Sequence, residues 1–124
     1  MTEDHPLHPK NRAMSFKYAF EGIVTAIKQE PNIQIHCVIA FLIILLGLIF
    51  NISKTDWLFV IIFTGLVISV EMTNTAIEAV VDSFTEKEHP TAKLAKDISA
   101  GAVLVVSISS AIAGLIIFIP SLSR

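Results

Sequence analysis

Glu71, Asn74, Glu78 and Asp82 have residue types and spacing suited to chemistry, and they sit at the end of an apolar run. On an ideal helix of about 3.6 residues per turn they share one face. A charged side chain at membrane depth costs about 2.5–3.5 kcal/mol on insertion scales. A stripe of them therefore needs a compensating cation, polar substrate or partner helix. A carboxylate near the lipid interface can serve as general base for an alcohol. A second can hold Mg²⁺, which usually takes one or two carboxylates together with substrate phosphates. Asn74, one turn from each glutamate, can orient either by hydrogen bonding. A polar seam between helices is the alternative reading of the same stripe.

The elements that must carry these residues are membrane spans. The 124-residue chain is 53% hydrophobic and 16% charged, with a mean hydropathy of +0.70. Soluble domains carry about 25% charged residues. Ile33 to Ile52 and Ile98 to Ile119 contain no Asp, Glu, Lys or Arg, and each is long enough to cross a bilayer, which takes about 20 residues. A third run starts at Trp57 and is uncharged only through Val70. It spans only if its helix continues through the stripe, so the stripe must lie near one membrane face.

Lys and Arg placement gives the orientation. Lys10, Arg12, Lys17, Lys28, Lys87, Lys93 and Lys96 flank one side, against Lys54 and Arg124 on the other. The N-terminus and the second loop are therefore expected in the cytoplasm of a multi-pass protein of the cell membrane. The stripe leads into that loop, on the side where nucleotides are. Residues 1–12 read as a flexible segment without a cleavable signal. Phe16, Phe20, Ile23, Val24 and Ile27 form one apolar face within residues 13–30, which reads as an amphipathic interfacial helix. Pro31 then re-aims the chain. Spans are expected over about 33–52, 57–84 and 97–119, all within one domain covering residues 13–124.

The remaining candidates are less specific. Glu30 lies at the junction of the interfacial helix and the first span. Lys96 and Asp97 open the third span, where Lys96 reads as a phosphate ligand or as a snorkelling side chain. Lys87, Glu88 and His89 read as a solvated turn. Cys37, the lone cysteine, reads as an inert thiol. A net charge of −2 carries no nucleic-acid signature, and no phosphate loop, GxGxxG, zinc spacing or protein-kinase signature is present.

Glu71-x-x-Asn74-Thr75-Ala76-Ile77-Glu78-x-x-Val81-Asp82 resembles the signature of the prokaryotic diacylglycerol kinase family of small membrane lipid kinases. Ala95-Lys96-Asp97 with Ala100-Gly101-Ala102-Val103-Leu104 resembles the start of the family's third span. Phe16 to Gly22 and Glu30 to His36 resemble its amphipathic helix and first-span start. The likeness covers nearly all of residues 12–120, and its details are similar to the Gram-positive undecaprenol kinase branch.

The resemblance implies an all-α homotrimer of three-span subunits with active sites shared between subunits. It implies phosphoryl transfer from ATP, with Mg²⁺, to a lipid hydroxyl, that of undecaprenol, with diacylglycerol as the alternative acceptor. By position, Glu71 corresponds to the general base and Asn74 to an active-site residue that arranges its neighbours. Glu30 and Glu78 correspond to the carboxylates binding Mg²⁺ and the ATP phosphates. Tyr18, Lys87, Glu88, His89, Lys96 and Asp97 fall where the family contacts nucleotide. Ala100 and the segment from Asn32 to His36 fall near the lipid. The family's N-terminal arginine aligns with Asn11, one residue from Arg12, and Asp82 receives no role. Two other classes fit the stripe: a small cation or proton transporter, and a purely structural oligomer.

Overall fold

The computed structural model describes residues 9–85 and 87–123, with side chains from Arg12 onward. The described residues form helices and short connections, with no strand. α1 runs Pro9–Gln29, α2 Pro31–Ile49, α3 Lys54–Phe84 and α4 Pro90–Ser121. Three of them, α2, α3 and α4, are long and apolar enough to span a membrane. Residues 9–12, expected in the flexible segment, belong to α1. Its helix opens at Pro9, whose fixed φ and missing N–H suit a first turn.

Prolines set the helix starts. Pro31 and Pro90 occupy the first turns of α2 and α4, where a missing N–H costs nothing. The elbow before Pro31 is held from the other side. The Gln34 side-chain amide donates to the carbonyls of Ile27 and Lys28, at 3.0 and 3.1 Å. Those oxygens belong to the last turn of α1, which has no backbone donors left to serve it. One side chain thereby fixes the angle at which α1 leaves α2.

The α2–α3 connection is short and tightly specified. Asn51 takes a left-handed conformation (φ 49°), which asparagine tolerates better than most residues. Ser53 caps α3 by accepting a hydrogen bond from the Asp56 backbone N–H at 3.1 Å. Gly47 is buried against Trp57: a Cβ there would lie 2.7 Å from the Trp57 ring. Around this turn Ile52, Val60 and Ile117 form the buried core, packed by Phe50, Trp57 and Phe118. Phe50 and Phe118 meet edge to face, 6.4 Å between centroids.

This core pins one end of the bundle, and the acidic stripe occupies the other. α3 packs mainly on α4 and also on α2, while α1 packs on α2. Two distant contacts between α3 and α4 share one antiparallel register: Val60 beside Ile117 and Phe118 at the core end, and Asp82 bonded to Lys96 at the other. That register puts Ala100 near the level of Glu78 and Ser107 near Glu71. Long apolar side chains on α2, α3 and α4 remain exposed on the outside of the bundle, as expected of surfaces facing lipid or further protein.

Gly47→Ala is expected to destabilise the helical hairpin by about 1–3 kcal/mol through overpacking. Gly65→Ala, at a position where a Cβ meets nothing within 4 Å, should leave stability unchanged or raised. Thermal unfolding of both variants in detergent separates the two outcomes.

Candidate active site

α3 carries the stripe out of the membrane. At about 1.5 Å per residue its 31 residues span roughly 45 Å, longer than a hydrocarbon core of about 30 Å. Counting about 20 residues from Trp57 leaves Glu71 and Asn74 in the last turns at lipid depth. Glu78 and Asp82 lie beyond them. Burial follows the same order. Glu71 is 3% exposed and Asn74 7%, Glu78 is half-buried, and Asp82 is exposed.

Several hydroxyls on the spans are satisfied within their own helix. Ser69, Thr73 and Ser83 donate to the carbonyls of Gly65, Ser69 and Ala79, four residues earlier, at 2.6 to 2.9 Å. That is how a helix hides polar side chains in lipid. The stripe does not follow this pattern. The Asn74 Nδ2 donates to Glu78 Oε1 at 3.4 Å. Its Oδ1 is the one buried side-chain oxygen or nitrogen among the described residues without a hydrogen-bond partner.

Glu71 is approached from α2. His36 Nε2 lies 3.7 Å from Glu71 Oε2, longer than a direct hydrogen bond and within a small side-chain rotation of one. His36 also lines an apolar cavity of about 410 Å³ between α2, α3 and α4. The cavity runs from His36 past Thr64, Val67 and Ser107 to Phe118, so the buried carboxylate stands beside its His36 end. The α2–α3 register carried back from this contact brings Glu30, the half-buried N-cap of α2, to the level of Glu78.

At the exposed end, Lys96 Nζ donates to Asp82 Oδ1 at 2.8 Å. This pair ties the end of α3 to the start of α4. Asp97 accepts from Lys93 one turn away, at 2.6 Å, so both positions that resemble nucleotide contacts are held by local charges. Lys87, Glu88 and His89 line a shallow pocket with Ser83, Phe84 and Thr85. His89 also caps α4, its Nδ1 accepting from the Thr91 backbone N–H at 3.2 Å.

The chain therefore brings together His36, Glu71, Asn74 and Glu78, and separately Asp82 and Lys96. Arg12, Tyr18 and Asn32 are exposed on α1 and the start of α2. Ala100 is exposed near the level of Glu78. No cluster of three or more His, Cys, Asp or Glu side chains among the described residues is close enough to hold a metal ion. The donor chemistry nonetheless suits one that also binds phosphate oxygens. Glu30, Glu78 and the unpartnered Asn74 Oδ1 are all oxygen ligands, the kind Mg²⁺ takes.

Residues 17–118 match the model of the family described as prokaryotic diacylglycerol kinase. The chain belongs to the prokaryotic diacylglycerol kinase family. It is similar to the undecaprenol kinase of Bacillus subtilis, 39% identical over 121 residues that cover 98% of each protein. It is also similar to the diacylglycerol kinase of Synechocystis sp., 33% identical over 90% of this chain and 65% of that one. The diacylglycerol kinase of Haemophilus influenzae is 30% identical over 73% of this chain and 77% of that protein.

Sequence reasoning about this family member missed three contacts. The Gln34 clamp, the Asp82–Lys96 tie and the approach of His36 to Glu71 each join different helices or cross a helix break. Periodicity within one helix carries no signal for them.

Asn74 donates one long hydrogen bond and leaves a buried oxygen unpaired, so it contributes little to stability. Asn74→Leu is expected to leave the unfolding temperature in detergent unchanged or raised. A fall of several degrees would mean that Asn74 Oδ1 has a partner in the assembled protein.

Proposed function

We propose that this protein transfers the γ-phosphoryl group of ATP, bound with Mg²⁺, to the hydroxyl of a membrane lipid. Undecaprenol is the preferred acceptor. The observation that carries the reading is the buried Glu71 carboxylate at lipid depth, next to His36 at one end of an apolar cavity, in a chain of a lipid kinase family. The near full-length likeness to an undecaprenol kinase favours undecaprenol over diacylglycerol.

Glu71 is the general base. A lipid hydroxyl is a weak nucleophile until its proton leaves in the transition state, and a carboxylate at the depth of the lipid headgroup meets it there. Asn74 holds Glu78 through its side-chain amide and offers its free carbonyl oxygen to the same space. Glu78 and Glu30 would hold the Mg²⁺ that accompanies ATP, and its charge would offset that of the phosphates. Phosphoryl transfer needs mainly positioning and such neutralisation.

Lys96 moves from Asp82 to the phosphates when nucleotide arrives, an exchange of one oxyanion for another on an exposed side chain. Lys87, Glu88, His89 and Asp97 border the nucleotide, while Ala100, Asn32 and His36 border the lipid. Arg12 and Tyr18 reach the nucleotide of a neighbouring subunit in a homotrimer with shared sites. That assembly also covers part of the apolar surface left exposed on each chain. The N-terminus and the α3–α4 loop face the cytoplasm of the cell membrane, following the Lys and Arg distribution.

Purified protein in lipid with γ-labelled ATP, Mg²⁺ and either undecaprenol or diacylglycerol tests the reading. Label is expected in lipid, with undecaprenol labelled faster; no labelled lipid from either acceptor sinks the proposal, and faster labelling of diacylglycerol reverses the substrate assignment. Glu71→Gln should reduce turnover by about 10²–10⁴-fold, the usual contribution of general base catalysis, while leaving MgATP binding intact. Glu78→Gln should instead weaken MgATP binding, read as a raised ATP concentration for half-maximal rate.

A further inference from the structure

Glu30 is the single residue between two helices: α1 ends at Gln29 and α2 begins at Pro31. Its own φ and ψ, −102° and 109°, are therefore the dihedrals that set the elbow. They also aim its side chain. With α2 held still, a rotation in ψ carries the Glu30 Cβ round together with the whole of α1. Pro31 keeps the residue before it extended, yet leaves its ψ a range of about 40°. A turn of about 20° within that range moves a carboxylate by about 1 Å, and such a misplacement can cost on the order of 10²-fold at a reacting centre.

Packing does little to hold the α1 side of this elbow. Ile33 is fully buried and anchors the start of α2. Residues 12–29 are exposed, apart from half-buried Ala26. The Glu30 side chain makes no capping hydrogen bond at the start of α2. What bridges the hinge is Gln34. Its Nε2 donates to the Ile27 and Lys28 carbonyls at 3.0 and 3.1 Å, and its backbone N–H donates to the Glu30 carbonyl at 3.1 Å. In a continuous helix the Ile27 carbonyl would be served by the N–H of residue 31, which proline lacks. The Gln34 amide takes over that bond and thereby ties α2 to α1 across Glu30.

We propose that Gln34 is the positioning residue for Glu30, fixing its ψ so that the carboxylate stays at the level of Glu78. The inference rests on Glu30 being a ligand of the Mg²⁺ that accompanies ATP. With Gln34 and Pro31 ordering the helix break, the Glu30 carboxylate is not spent as a cap and stays free for a ligand. Groups that orient a ligating side chain typically contribute about 10–100-fold to metal affinity. A wall of the lipid site and a plain stabiliser of the fold are the competing roles for Gln34, and they predict different measurements.

Equilibrium dialysis of the full-length protein in lipid against labelled ATP with Mg²⁺ reads binding without turnover. Gln34→Met, of similar length but without the amide donor, should weaken MgATP binding by about 10–100-fold. Gln34→Ala should do the same. The unfolding temperature should move by no more than a few degrees, since both bonds are exposed, and KM for undecaprenol should not change. Gln34→Arg, whose guanidinium has donors for both carbonyls, should restore binding. In a Glu30→Gln background Gln34→Met should cost nothing further, because the residue it positions is already gone. Unchanged MgATP binding in Gln34→Met overturns the proposal. So does a loss that persists undiminished in the Glu30→Gln background, or a raised lipid KM beside normal MgATP binding. Normal MgATP binding in Glu30→Gln removes Glu30 from the metal site and the clamp's purpose with it. Weakened binding in Glu30→Gln beside normal binding in Gln34→Met removes the clamp alone.

Discussion

Hydrocarbon supplies no hydrogen bonds, so every polar group a span carries must find its partner within the protein. The architecture follows from that constraint. Serine and threonine hydroxyls on α3 fold back onto their own helix. Gln34 spends its amide on two carbonyls that the end of α1 leaves open. Pro31 and Pro90 stand where an N–H has no partner to lose. Against this background Glu71 and Asn74 stand out as buried polar groups that the single chain leaves incompletely served. Groups of that kind persist in membranes mainly where function needs them.

The incomplete groups are held in place by packing at the opposite end of the bundle. Gly47 admits the Trp57 ring, Asn51 turns the chain, and Ile52, Val60 and Ile117 close the core. From that fixed end α3 runs unbroken for its whole length, so the depth of Glu71 is set by counting turns from Trp57. The Asp82–Lys96 bond then closes the ladder at the exposed end. A core built around the site itself would have had to bury those carboxylates against apolar side chains. Separating the two ends lets one be rigid and apolar while the other remains open to a charged ligand.

This division explains what could be read from the chain. The spans were legible because an uncharged run of this length has few other uses. The stripe was legible because its members recur on one helix face. The depth of Glu71 followed from the shortness of the apolar run before it. Glu30 at the level of Glu78 was carried by family resemblance, since nothing in the intervening sequence fixes the register of α2 on α3. The pairing of Asp97 with Lys93 was local enough to be seen as an i, i+4 pair, yet the resemblance drew the reading toward nucleotide. His36 was placed beside the lipid for the same reason, and only the α2–α3 register showed which side chain it approaches.

The exposed face of α1 extends the same logic beyond one chain. Phe16, Phe20, Ile23, Val24 and Ile27 lie on the surface of a helix whose main neighbour is α2. An apolar stripe of that kind is stable only against lipid or another protein surface. Membrane interface along part of it and a second subunit along the rest would satisfy it without any change in the helix. Arg12 and Tyr18 lie exposed on the same helix. The proposed trimer would therefore answer a deficit of the single chain, the apolar face of α1 that nothing in it covers.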